Sequence, residues 1–390
     1  MRRSVLFVNP DFHNSFTLMN ELRRRGWHAS VFVPKGYPDR FLFSRDVIRQ
    51  WIPLRGNGRI ALTLRVIVSL PQYALLCLRF RVHVTYGRMF FPPSCERALR
   101  GWGWCRDDFH LGLSISKMLG VRHVFIPSGC HDEDLKEVYA NLEGQAMCGN
   151  CGFYDSCNDD DNRYYMQRAI RYADRITNWG FHGSTVLTVR PFRYKCLDFS
   201  RWTVPDRSAR ERIVVLHSHA TESRNLMPGR NIKGTPTIDA VMERICARHP
   251  NVEYRRVTGL RSVEMLQHQQ EADIVIDQLH YGYWGSTGIE AMGVGCAVVC
   301  YLRPAWIDHF KKTYPDAPDI PVVSATKDSL EEVMEGLVTD LARLRAIQRR
   351  SREFAEAFYG PVSVADEVEA VLSGLQREKT TESANHRQEP

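Results

Sequence analysis

Apolar residues along this chain follow two alternating patterns. Short runs in which nearly every position is apolar, such as Ser4–Val8 (SVLFV), Ala29–Val33 (ASVFV) and His123–Pro127 (HVFIP), read as strands buried on both faces. Between them the period lengthens: Met19 and Leu22 belong to a helix ending at Gly26, and His110–Gly120 reads as another. After a polar, basic, Pro-containing break at 192–210 the rhythm restarts. Arg212–His217, Val252–Val257, Ala272–Leu279 and Cys296–Leu302 are expected strands. Gly234–His249, with apolar Ile238, Val241, Met242 and Ile245, Ser262–Ala272 and Gly285–Gly295 are expected helices.

Strand–helix alternation of this kind predicts an α/β chain of two doubly wound, Rossmann-like domains with parallel sheets. At 390 residues the chain exceeds what one core usually organises. The expected division is 1–200, then 201–376, with 377–390 a polar disordered tail. A long helical pattern at Ser329–Ala357, followed by Val362–Leu375, is expected to close the second domain, and its last helix to cross back over the first.

Charge changes the picture in one place. The net +7 is the balance of about +11 over residues 1–110 and about −4 over the rest, and no acid interrupts the six arginines between Trp51 and Arg88. An anionic partner for the first third follows, an anionic membrane surface or a phosphate-bearing acceptor, unless the arginines only form a solvated face. No nucleic-acid partner is expected, since no motif for one accompanies the charge. Ile60–Leu78 is the most apolar long segment, but Arg65 and Pro71 lie within it, which favours a core or interface helix over a membrane span. The run after Met1-Arg2-Arg3 stops at Asn9–Pro10, too short for a secretory core. With eleven scattered cysteines this points to a reducing cytoplasm, with peripheral contact at the inner face of the membrane.

Two segments carry candidate chemistry. In Ala272–Leu302 a buried strand ends at Asp277, a Gly- and aromatic-rich turn follows, and a helix begins near Ser286. Amide groups at a helix start are unpaired and lie at the positive end of its dipole, so Gly285, Ser286, Thr287 and Gly288 form a site for a diphosphate, with the glycines permitting close approach. Glu290, one turn inside, is placed to meet a ribose hydroxyl pair. The second segment, His217–Thr235, joins a strand to a helix and supplies Arg224, Arg230 and Lys233 as cations for a leaving diphosphate.

Together, R-N-I-K-G-T (Arg230–Thr235), the run from Ala272 to Val299 and I-P-V-V-S-A-T-K-D-S-L-E-E (Ile320–Glu332) resemble glycosyltransferase family 4 (group 1), of GT-B fold, over roughly residues 211–375. The resemblance implies a retaining transferase that moves a sugar from a nucleoside diphosphate sugar to a glycan or lipid-linked acceptor, as in cell-surface polysaccharide or glycolipid synthesis, with no cofactor required. It implies that Arg230 and Lys233 grip the donor diphosphate, that the Gly285–Gly288 loop caps it, and that Glu290 holds the ribose. One departure stands out: Gly282 occupies the position of the first of two family glutamates, which contacts the donor sugar, so that either Asp277 or Gln278 supplies that contact or the donor choice differs. The competing readings are a nucleotide-sugar epimerase of GT-B fold and a non-catalytic nucleotide- or glycan-binding module.

In the first domain, the segment Pro127–Asp134 follows a strand and puts His131 at its carboxyl end, where it is either a cleft-lining residue near the transferred sugar or part of a helix-capping loop. His13, after the first strand, is a further acceptor-side candidate. Cys148, Cys151 and Cys157, with Cys130 or His131, have spacing compatible with a structural zinc, the alternative being unligated thiols. Asp159-Asp160-Asp161 resembles the metal motif of GT-A enzymes but reads better as a solvated turn.

Overall fold

The computed structural model describes residues 3–34, 44–51, 58–87, 96–106, 109–127, 151, 159–177, 190–207, 210–219 and 231–385. The first lobe contains β1 (Ser4–Val8), α1 (Phe12–Arg24), β2 (His28–Val33), β3 (Ile48–Arg49), α2 (Arg59–Arg79), β4 (Val82–Tyr86), α3 (Glu96–Gly101), a small hairpin of β5 (Cys105–Arg106) and β6 (Phe109–His110), α4 (Leu111–Met118), β7 (Arg122–Ile126), α5 (Asp159–Tyr172) and β8 (Arg175–Ile176). Its main sheet runs β3-β2-β1-β4-β7-β8 with every pairing parallel. Val5, Leu6 and Phe7 are buried on both faces of the sheet, which is why β1 reads as an unbroken apolar run.

The second lobe contains β9 (Ile213–His219), α6 (Thr235–Arg248), β10 (Val252–Thr258), α7 (Ser262–Glu271), β11 (Ile274–Ile276), α8 (Ser286–Gly293), β12 (Ala297–Val299), α9 (Pro304–Thr313), α10 (Leu330–Thr339) and α11 (Leu341–Tyr359). Its sheet runs β10-β9-β11-β12, again wholly parallel. The long helical pattern expected from Ser329 is divided: Asp340 interrupts it and its carboxylate caps the new helix by accepting from Arg343 N–H at 2.9 Å.

Among the described residues the chain passes between the lobes twice. Phe192, Tyr194 and Cys196 alternate into the core of the first lobe, whereas Leu197 and Trp202 belong to that of the second. At the other crossing, Phe354, Phe358 and Tyr359 of α11 lie in the second core, and α12 (Pro361–Asn385) returns to the first. Val364, Ala365, Val368, Leu372 and Leu375 form one helical stripe that packs on α1 and β4, each large side chain contributing on the order of 1.5–3 kcal/mol by burial. The helix runs on to Asn385, into the segment expected as a disordered tail, because Gln376–Asn385 holds no proline or glycine to end it. Asp159 likewise begins α5, where a turn was expected.

Candidate functional site

In an open parallel sheet, ligands collect beyond the carboxyl ends of the strands where neighbouring strands connect to opposite sides. In the second sheet that point lies between β9 and β11. The connections leading to α6 and to α8 converge there.

Asp277, immediately after β11, joins the two. Its Oδ1 accepts from Lys233 Nζ at 3.0 Å, and its Oδ2 accepts from the Gly285 N–H, at the N-cap of α8, at 2.6 Å. Lys233 also donates to the Ser218 carbonyl at 3.0 Å. A buried carboxylate without such partners costs several kcal/mol, so the sequence that places Asp277 inside must also supply them. The Lys233 side chain is 19% exposed against 1% for Asp277, so the cation reaches the crevice and the anion does not. Asp277 is thus seated beneath the turn, with one oxygen on each loop.

Neighbouring groups fix this arrangement. Asn231 Oδ1 accepts from the Lys233 and Thr235 N–H groups at 3.2 and 2.8 Å. His217 bridges β11 and α6: Nδ1 lies 2.8 Å from the Ile276 carbonyl and Nε2 2.8 Å from the Thr235 hydroxyl. The carbonyl can only accept, so Nδ1 carries the proton and Nε2 takes the hydroxyl's. Burial, and secondarily Lys233, pushes His217 down to about 4, which keeps it neutral beside the lysine.

The turn before α8 is set by packing. A Cβ on Gly288 would come within 2.9 Å of Trp284 Cβ and 3.2 Å of Asp277 Oδ2, so this glycine serves the contact of helix with strand, not only ligand approach. Gly285 is less constrained, its nearest neighbour being 3.5 Å away. Ser286 and Thr287 are half-buried in the first turn of α8. Glu290, one turn in, approaches Gln269 Nε2 at 3.3 Å and, across the lobes, His13 Nδ1 at 3.3 Å.

The Gly282 departure has a structural counterpart. Gly282 has φ of +82°, and a Cβ there would lie 2.8–2.9 Å from Arg303 Nε, Cβ and Nη2. Arg303 holds this turn by donating from Nη2 to the Tyr281 carbonyl and from its N–H to the Gly282 carbonyl, both at 2.8 Å. Gln278 is spent on the same turn: Oε1 accepts from His280 and Tyr281 N–H at 3.2 and 2.5 Å, and Nε2 donates to the Tyr283 carbonyl. Neither Asp277 nor Gln278 therefore points an unengaged side chain toward a sugar.

The structure brings Lys233, Asp277, Gly285, Ser286, Thr287, Gly288 and Glu290 together, with His13 opposite. Arg224, Arg230, His131, Cys130, Cys148 and Cys157 lie outside the described residues; Cys151 is half-buried. Among the described residues no group of three or more His, Cys, Asp or Glu could hold a metal ion. Two residues at the crevice carry no sequence motif, Asp11 and Lys195. The Lys195 ammonium donates to Asp11 Oδ2 at 2.5 Å and lies 3.5 Å from Ser286 Oγ.

No family model and no curated protein matches the sequence. Solved structures do match its fold. Sucrose-phosphate synthase from Thermosynechococcus elongatus is 14% identical with a TM-score of 0.58, covering 97% of this chain and 100% of its own. Anabaena Alr3699/HepE in complex with UDP and glucose is 12% identical with a TM-score of 0.58, over 96% and 100%. WaaG, a glycosyltransferase involved in lipopolysaccharide biosynthesis, is 11% identical with a TM-score of 0.51, over 93% and 98%. This likeness is one of fold: the chain has the two-lobed GT-B architecture, with its last helix crossing back to the first lobe.

Proposed function

We propose that this chain is a glycosyltransferase that takes a sugar from a nucleoside diphosphate sugar held by the second lobe and passes it to a hydroxyl group held by the first. The observation that carries this reading is the shared Asp277 carboxylate, which fixes the Lys233 cation and the amide-lined start of α8 side by side at the switch point of the sheet. A diphosphate meets opposite charge there from both. The family 4 resemblance adds Arg230 as a second cation and Glu290 as the ribose ligand.

In the transfer, the bond from the anomeric carbon to the diphosphate oxygen breaks while the acceptor oxygen bonds to that carbon. The acceptor's proton passes to the departing phosphate, and Lys233 and the α8 amides stabilise the charge left on it. Retention of configuration follows from the family resemblance, with same-face attack and the leaving phosphate as base. His13, opposite Glu290, would lie on the acceptor side. Closure of the lobes would exclude water.

A glycan or lipid-linked acceptor and a peripheral contact with an anionic membrane belong to the same reading. No helix among the described residues is long and apolar enough to cross a membrane. Ile60, Ile67, Leu75 and Leu78 of α2 are each more than half exposed and share one helical face, within a stretch bearing arginines and no acid. A second copy of the chain would bring arginines against arginines, whereas anionic headgroups complement them.

Thermal shift with UDP-, GDP-, ADP- and dTDP-sugars identifies the donor, since a ligand that binds only the native state raises its melting temperature. Lys233→Ala should then lower turnover at least ~10²-fold. Unchanged turnover in that variant rejects the assignment. Conversion of the sugar without any acceptor would indicate an epimerase, and binding without turnover over an acceptor pool a non-catalytic module.

A further inference from the structure

The sheet of the first lobe has an unfinished edge. β3 pairs only with Phe32 and Val33, at the carboxyl end of β2, so among the described residues no strand covers the amino half of that edge. Arg23 of α1 reaches over it instead, donating from Nε to the Ala29 carbonyl at 2.8 Å and from Nη1 to Asp46. Beside it opens a pocket of about 630 Å³, lined in part by Arg23, His28, Ser30, Asp46, Ile48 and Arg79. Ligand sites span ~300–1,000 Å³. The loop after β1 carries His13 to Glu290, so the carboxyl ends of these strands face the crevice and the pocket lies toward the other end of the sheet.

Two groups in the pocket have hydrogen bonds left to give. Ser30 is 8% exposed, and its hydroxyl has no hydrogen-bond partner among the described residues. Leaving a buried hydroxyl unpaired is costly unless something else reaches it. Arg79, the last residue of α2, donates from Nε and Nη2 to His28 Nε2 at 3.2 and 3.1 Å. A guanidinium can only donate, so this ring nitrogen accepts and His28 is neutral. The His28 ring in turn lies flat on Phe80, with centroids 4.7 Å apart and planes 6° from parallel. Arg79 is therefore positioned by an uncharged partner on a packed support. Asp46, the carboxylate at the rim, pairs with Arg23, and among the described residues none pairs with Arg79. Two arginines against one acid leave the pocket positive.

We propose that this pocket binds a phosphate ester, with Arg79 and the Ser30 hydroxyl donating to the phosphate oxygens and Arg23 lending the second positive charge. The planar fork of an arginine matches two oxygens of a phosphate, and a hydroxyl below it takes a third. Leu75 and Leu78, exposed on the last turns of α2, lead to Arg79. The ester is thus a lipid headgroup whose chains lie along α2, or a soluble phosphate ester of the same chemistry. Being apart from the crevice, this site stands independently of the donor reading.

Calorimetric titration of the full chain with glycerol 3-phosphate, with glycerol as the uncharged control, and sedimentation with phosphatidylglycerol vesicles separate the two sources. Arg79→Gln should weaken binding of the ester ~10-fold and Ser30→Ala ~3-fold, with the melting temperature and nucleoside diphosphate binding unchanged. Ile67→Glu/Leu75→Glu, which alters the apolar face of α2 and not the pocket, should leave glycerol 3-phosphate binding as it was. Glycerol 3-phosphate bound with this dependence supports a site for the soluble ester. Vesicles alone bound, and loosened by Arg79→Gln and Ser30→Ala, support a headgroup site. Binding of either probe that both substitutions leave unchanged, or binding of neither by the unaltered chain, overturns the proposal.

Discussion

Single residues at the crevice divide into those a motif announces and those only a neighbour explains. Gly282 is the clearest case. Its departure from the family pattern is visible in the sequence, but the reason is Arg303, twenty-one positions later, packed where a side chain would go. Gly282→Ala should lower stability by ~1–3 kcal/mol, since the residue must hold a left-handed conformation and displace an arginine. Chemical denaturation reads this directly. Gly282→Glu, which restores the family residue, should lose stability as well and gain no turnover; a faster enzyme would mean that Arg303 readily gives way. Lys233 was legible from its motif, whereas its dependence on Asp277 was not, because the two are forty-four positions apart and meet only through the sheet.

At the scale of elements, α2 shows how far periodicity reaches. Its apolar length was evident, and Arg65 and Pro71 within it argued against a membrane span. Which side it buries depends on what packs against it: Val66, Tyr73, Leu76 and Cys77 face inward, while Ile67, Leu75 and Leu78 face out. If that face meets an anionic membrane, Ile67→Glu/Leu75→Glu should lower binding to phosphatidylglycerol vesicles at least ~10-fold. Added salt should weaken binding of the unaltered chain, and donor binding should not change. Equal sedimentation of both forms with the vesicles would leave α2 an ordinary surface helix. α8 was legible for a related reason, since a buried strand, a Gly-rich turn and a helix start are local features. Lys195, which approaches Ser286 Oγ at 3.5 Å, comes from elsewhere in the chain.

The whole molecule carries buried, neutral histidines in both lobes, and these set its response to acid. Burial pushes His83 in β4 down to about 3 and His217 in β9 down to about 4, and lowers His123 in β7 as well. All three folded-state values lie below the usual 6.5, so the unfolded chain binds these protons first. Stability from these groups is full above about pH 6.5 and falls as pH drops toward the folded values. The slope is ~1.4 kcal/mol per histidine per pH unit at most. Urea midpoints should therefore decline between pH 6.5 and 5, before most carboxylates titrate; a flat profile there would contradict the burial of these rings.

The alternation of buried runs with helical stripes fixed the fold class without reference to tertiary contacts. Burial on both faces of a parallel strand writes itself as an unbroken apolar run, and burial on one side of a helix as a period of 3.6. The loop chemistry of the second lobe was legible for the same reason, since a strand end, a Gly-rich turn and a helix start follow one another in sequence. Pairings across long separations were decided by the folded chain alone: Lys233 with Asp277, Lys195 with Asp11, Glu290 with His13, and Arg303 against Gly282. Such contacts depend on how two sheets and a connector are set against each other, and electrostatic pairing has no period along a sequence.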